Sequence, residues 1–434
     1  MNTEETERLV CQHVLRRLGE GGQPPEHGIM RINVGNESYL AVLEDEYFGD
    51  LLRHGSAFKL VQGYFGAGKT HFLLCVREMA WANGFAAALV ELSPEECPYD
   101  DSLLTYAATA RNIAVAGRGP LDPPRAGLGE VLRESIVRRR RASLRLVEED
   151  DDWADPAPSA QDEASRDIGR WLADVEAAPC ESLSYRRAVV SYLRACIDED
   201  RRAQQKLEAW LAAEPIPVSE LRDQGVYETM SRKNGFLMLR SMTQMLAAVG
   251  YDGDALLFDE VDRNMSFNAK RSQSIGDNLR QVVDLCGRHQ LPKTLFVYAV
   301  PPEFMRAVVP DYPALYQRLK SPTNLGVRSP QAVLIDLDDL DLAPTAMLSE
   351  LASRILDVFE CAYGSALGRE VQLRNGRLLA ASCVHTQFEV NHRRLFVKTF
   401  VDLLHRQRYE GQVELDEDSA LDLVLDGYEG SGAW

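Results

Sequence analysis

Apolar positions along the chain change period several times, and the changes outline the elements. From Glu4 to Leu18 they recur at helical spacing, with Leu9, Val10, Val14 and Leu18 near one face. Gly19, Gly21 and Gly22 stop that helix, and Pro24-Pro25 follows. The segment Ile29 to Val34 reads as a short strand and Tyr39 to Leu52 as a helix. Phe58-Lys59-Leu60-Val61-Gln62 is an apolar run that enters a glycine-rich loop. The stretch His71 to Asn83 is amphipathic and ends at Gly84, a helix-stop residue, before a second strand at Ala86 to Leu92. Strand, glycine loop, helix and strand in that order open a parallel α/β sheet.

From about 104 to 250 the pattern is helical and highly charged. Arg133, Arg138, Arg139, Arg140, Arg141 and Arg145 form a basic stretch, and an acidic run from Glu148 to Asp155 follows directly. Roughly 147–164 reads as a solvated loop. The arginines either anchor DNA or an acidic partner, or form a solvated helix face neutralised by the neighbouring acids; the second reading is preferred. Strand signals return at Ala255 to Phe258, Thr294 to Val300 and Ala332 to Ile335. Beyond about 340 the chain reads as helices with a break at Gly364–Gly376. The expected division is an N-terminal helical and linker segment (1–57), a core (58–103 with 250–338), a charged helical insertion (104–249) and a C-terminal helical lid (339–434).

A chain of 434 residues suggests two or three domains. No apolar run approaches the roughly 18–20 residues that span a bilayer, and the first thirty residues lack a signal-peptide pattern. The expectation is a cytoplasmic protein with no membrane contact. Its eight cysteines are scattered, without metal-ligand spacing, and read as reduced thiols. A formal charge of −18 argues against a protein that grips duplex DNA alone. It favours protein partners, or DNA met only within a complex.

The motif that carries chemistry is Gly63-Tyr64-Phe65-Gly66-Ala67-Gly68-Lys69-Thr70, which fits G-x-x-x-x-G-K-[ST] without mismatch. Glycines let backbone N–H groups turn inward around an anion, and the helix that follows adds its positive end. Lys69 is expected on the β- and γ-phosphates of ATP and the Thr70 hydroxyl on Mg²⁺. His71 follows directly and completes the nucleotide-contacting set. As a side chain it reads, like His27 and His385, as structural.

Leu256-Leu257-Phe258-Asp259-Glu260 is an apolar strand ending in two carboxylates. Asp259 would hold the metal with Thr70, and Glu260 would polarise the attacking water. Asp262 reads as a cap. Asp259 lies 189 residues beyond Thr70, so the charged helical region is a large insertion. In AAA+ ATPases the neighbouring strand ends in a polar residue near the γ-phosphate. Here Thr294 to Val300 runs into Pro301-Pro302, leaving that role vacant or to Tyr298. Arg318 lies where an arginine finger could sit, with an ordinary surface residue as the alternative and Arg328 a weaker competitor. Asn391-His392-Arg393-Arg394 is similar to the G-[DN]-x-R start of a lid helix in initiator-type AAA+ proteins, although Val390 stands where Gly is usual. That register puts Arg393, or Arg394 after a slip, on the γ-phosphate.

The block Gly63 to Leu73, the Glu91-Leu92-Ser93-Pro94 segment, Gly250-Tyr251 before the Asp259 strand, and Tyr-Pro-x-Leu-x-x-Arg-Leu ending at Leu319 together resemble the BrxC/BrxD family of ATP-binding proteins from BREX phage-defence islands. By length the chain is nearest to BrxD. The resemblance is firm at the nucleotide motifs and thin between 100 and 220. It implies an AAA+-related P-loop ATPase and defence partners such as a methyltransferase, a PglZ-type phosphatase or a helicase. The expected fold is α/β, a P-loop parallel sheet with a helical insertion and a C-terminal helical domain, open to homo-oligomerisation. The expected function is an ATPase that drives or times assembly of a defence complex. Its rivals are a non-hydrolysing nucleotide switch and a DNA-engaging motor or helicase loader.

Overall fold

A computed structural model describes residues 3–93, 97, 101–144, 158–260, 269–288, 290–307, 313–319, 323–340, 342–364, 367–386 and 392–429. Its strands are β1 (Ala57–Gln62), β2 (Ala86–Leu92), β3 (Ile113–Val115), β4 (Arg125–Ala126), β5 (Asp254–Glu260), β6 (Thr294–Val300) and β7 (Leu334–Asp336). They form one sheet in the order β4-β3-β2-β5-β6-β1-β7. The five from β2 to β7 in that order are mutually parallel, while β3 pairs antiparallel with β2 and β4 antiparallel with β3.

The N-terminal helices are α1 (Thr3–Gly19), α2 (Glu37–Val42) and α3 (Leu52–His54), the last two joined by a π-helical turn over Leu43–Leu51. Helix α4 (Lys69–Ala82) follows the glycine loop. Between β2 and β5 lie α5 (Ser102–Asn112), α6 (Leu128–Leu144), α7 (Pro158–Ala177), α8 (Leu183–Ile197), α9 (Arg201–Leu211) and α10 (Gly235–Ala248). Then come α11 (Ala269–Gly287), α12 (Pro302–Ala307) and α13 (Pro313–Leu319). The C-terminal helices are α14 (Pro344–Tyr363), α15 (Arg369–His385), α16 (His392–Glu410) and α17 (Glu417–Glu429).

A parallel sheet is stable only with both faces covered, and the alternation along its strands assigns each face. On one face Val61, Leu257 and Val297 join a core shared with α1, α4 and the C-terminal helices. On the other, Leu60, Leu256, Phe258 and Phe296 join a second core built with α5, α6, α8 and α10. Phe258 stacks on Phe296 at 4.9 Å and on Tyr298 at 4.7 Å. Helices α5 to α10 therefore complete the sheet's second core. Lys59 is buried within β1, where burial pushes its pKa down to about 7. It donates to the Ala332 carbonyl at 2.5 Å and to the Tyr47 hydroxyl, tying β1 to the segment before β7 and to the π-helical turn.

Three expectations need correction. Residues 29–32 form a 3-10 helix (Ile29–Ile32), because Glu78 ties up the N–H groups of Gly28 and Ile29 that a strand would need. Among its described residues the 104–249 stretch, expected to be helical, also holds β3 and β4, which are too short to show a period. Gly376 does not break a helix; it lies inside α15, where a Cβ would come within 2.6 Å of Ala352 Cβ on α14. The interruption is confined to 364–368. Gly376→Val should accordingly force α14 and α15 apart and cost about 1–3 kcal/mol. Chemical denaturation reads this directly, and a variant as stable as the parent would contradict the close packing.

Candidate functional site

The loop from Gly63 to Thr70 runs from the carboxyl end of β1 to the first turn of α4. Gly66 (φ 86°) and Gly68 (φ 92°) hold left-handed conformations that side-chain-bearing residues rarely adopt. A Cβ at Gly68 would also come within 3.0 Å of Arg393 Nη1. Lys69 is folded inward, its Nζ donating to the carbonyls of Gly63 (2.6 Å) and Tyr64 (3.0 Å). The Thr70 hydroxyl donates to Asp259 Oδ2 at 2.6 Å, although β6 lies between β5 and β1, the strand that leads into the loop. Asp259 is buried at the end of β5.

Arg393, on the first turn of α16, donates from Nη1 to the Ala67 carbonyl. Burial depresses its pKa, and the nearby Asp338 carboxylate opposes that effect. The Tyr64 N–H donates to Asp338 Oδ2 at 2.8 Å, and burial raises the Asp338 carboxyl above its usual range. Arg394 is exposed, its guanidinium 5.9 Å from the Phe65 ring. His71 Nε2 lies 3.1 Å from Asn33 Oδ1, and burial together with Arg393 pushes its pKa down to about 4. It is a neutral strut at neutral pH.

These groups border one pocket. Gly68, Lys69, Thr70, Asp259 and Arg393 make its polar end, and its lining also includes the apolar Leu18, Ile32, Val34, Met347 and Val397. Residues 7–422 match the family described as BREX system ATP-binding protein BrxC/D. The chain belongs to that family. No curated protein and no solved structure matches it. The family's description makes ATP the relevant ligand class, and the loop lies within the matched span. Among the described residues no helix is long and apolar enough to cross a membrane.

Other expected site residues are placed less fully. Glu260 ends β5 in register with Leu92, but its side chain lies outside the described residues. So does the side chain of Arg318, on α13, and Asp262 altogether. Arg328 is exposed in the turn before β7. Tyr298 is stacked in the second core, not at the polar end of the pocket. The acidic run 148–155 and Arg145 also lie outside the described residues. Three of the α6 arginines have partners among the described residues. Arg133 pairs with Glu130 (2.6 Å), Arg139 with Asp167 of α7 (2.7 Å), and Arg138 packs 4.7 Å from the Tyr251 ring.

Sequence reading left the N-terminal wall of the pocket as a linker. It is held by α4: Glu78 accepts from the N–H groups of Gly28 (2.9 Å) and Ile29 (3.4 Å), and Arg77 donates to the Glu26 carbonyl at 3.0 Å. The available signal was the apolar trio Ile29, Ile32 and Val34 interleaved with Asn33 and Asn36. Glu78→Ala would orphan two backbone donors, at about 1–3 kcal/mol. Both unfolding stability and ATP affinity should fall in Glu78→Ala. Denaturation and calorimetric titration check this, and unchanged values for both would remove Glu78 as the anchor of the wall.

Proposed function

We propose that this protein binds ATP with Mg²⁺ at the Gly63–Thr70 loop and hydrolyses it, the nucleotide cycle driving or timing assembly of a BREX defence complex. The observation that carries the reading is convergence. Lys69 from the loop, Asp259 from β5 and Arg393 from α16 border the polar end of one pocket, beside the N-terminus of α4. Loop N–H groups and the helix end suit an anion, and both cations suit a polyphosphate.

Lys69 exchanges its bonds to the Gly63 and Tyr64 carbonyls for bonds to the β- and γ-phosphates. Gly63, Tyr64, Phe65, Gly66, Ala67 and Gly68 wrap the phosphate chain, while His71 braces the loop helix against Asn33. The Thr70 hydroxyl and Asp259 carboxylate, two hard oxygen donors already 2.6 Å apart, fit Mg²⁺. That ion would supply neutralisation of charge developing on the phosphate oxygens. Glu260, next to Asp259 at the strand end, orients and polarises water. Arg393 reads the γ-phosphate from a C-terminal lid, and Arg318 serves as an arginine finger on a neighbouring copy. The parallel order with a cation-bearing helical lid supports an AAA+-like core. A methyltransferase, a phosphatase-like protein or a helicase component would be the partner.

One observation favours the non-hydrolysing switch as a second reading: β6 ends in Ala299-Val300 with no polar side chain for the γ-phosphate or water. The DNA-motor reading loses ground, because Arg133 and Arg139 are paired with carboxylates and Arg138 is packed on Tyr251.

Two substitutions test the proposal together. Lys69→Ala removes a charge-assisted phosphate bond of about 1.5–3 kcal/mol, so ATP affinity should fall at least about tenfold. Glu260→Gln should keep ATP bound while turnover drops. Calorimetry and phosphate release read the two effects. Parent-like binding by Lys69→Ala would sink the loop assignment. Turnover in Glu260→Gln equal to the parent's would remove Glu260 from the chemistry, and a parent without turnover, with or without partners, would leave the switch.

A further inference from the structure

The pocket lining includes a polar group that the phosphate chemistry does not use. Asn36 caps the start of α2, is only 6% exposed and lines the pocket, yet its side chain makes no cap hydrogen bond. Its Oδ1 is buried without any hydrogen-bond partner. Asn33, three residues earlier, shows the contrast: its Oδ1 is engaged by His71 at 3.1 Å and by Cys75 at 3.6 Å. Leaving a buried amide oxygen unpaired costs about 1–3 kcal/mol, and buried polar groups are nearly always paired. A pocket lined by such an oxygen is suited to a ligand that arrives with a donor.

The surroundings narrow the donor. Ionised phosphates only accept hydrogen bonds, and Lys69 and Arg393 already claim the polar end. The same pocket is lined by Leu18, Ile32, Val34, Met347 and Val397, from both ends of the chain. Such walls suit a flat ring more than a sugar. We infer that Asn36 is the base-reading residue of this pocket, its Oδ1 accepting a hydrogen bond from the exocyclic amine of adenine. The inference rests on the nucleotide reading above. An asparagine amide can bond adenine through both of its groups, as it does to adenine edges in DNA. A side chain built to receive an amine discriminates against an analogue lacking it, because the acceptor is again left unpaired. Guanine is a poor probe of this role, since a turned amide would offer Nδ2 to its carbonyl.

The experiment compares ATP with purine riboside triphosphate, which carries hydrogen in place of the amine and keeps the sugar and phosphates. Equilibrium dissociation constants are measured with Mg²⁺ for the parent, Asn36→Ala and Asn36→Ser. The serine keeps a helix-capping residue but is too short to reach the base, which guards against a variant that fails to fold. The parent should prefer ATP by about tenfold or more, and both variants should bind the two nucleotides within about twofold of each other. Lys69→Ala should weaken both nucleotides alike, leaving the parent's preference intact. Equal binding of both nucleotides by the parent, or a preference that survives in the folded variants, would overturn the role of Asn36 while leaving the loop reading standing. A parent that binds neither nucleotide would overturn the loop reading and this inference with it.

Discussion

The hydrogen bond from Thr70 to Asp259 is the constraint on which the site depends. A carboxylate buried at a strand end is costly unless it is paired, and here the pairing comes from the first turn of the helix after the glycine loop. That helix end also presents its positive pole toward the carboxylate. Strand β6 lies between β5 and β1, the strand that leads into the loop, so the bond forms only if β1, β6 and β5 end at matching heights. The registers Gln62 with Val300 and Phe258 with Tyr298 provide that match. The aromatic stack of Phe58, Phe258, Phe296 and Tyr298 crosses the same three strands on one face.

The walls come from chain segments far apart in sequence. Helix α1 packs on α14 and α16, which brings the segment ending at Asn36 beside Arg393. Helix α4 then pins that segment through Glu78 and Arg77. One element thus positions the phosphate end through its N-terminus and the pocket's N-terminal wall through its outer face. Nucleotide binding is expected to report on the docking of the chain's two ends as well as on the loop.

How much was legible follows from the physics of each signal. The strands around the loop are continuous apolar runs because both sheet faces are covered, and β2 and β6 coincide with the runs read from sequence. The loop was legible because its glycines meet a conformational demand at Gly66 and Gly68. Residues 29–32 were misread because a strand and a 3-10 turn of four residues share the same apolar count; what decides is Glu78, fifty residues away. Gly376 was misread because a helix stop and a helix–helix close approach ask for the same residue. For Arg139 and Arg133 of the arginine run, α7 and α9 supply carboxylates through Asp167 and Glu208, and such pairings are invisible to linear spacing.

The most direct test of the Thr70–Asp259 pair as the metal end of a nucleotide site is the magnesium dependence of ATP binding. Affinity is measured by calorimetry in Mg²⁺ and in EDTA, for the parent and for Asp259→Asn. The account predicts that Mg²⁺ tightens ATP binding to the parent and that most of this gain disappears in the variant, whose affinity in EDTA falls no lower than the parent's. An equal gain from Mg²⁺ in both proteins would contradict it.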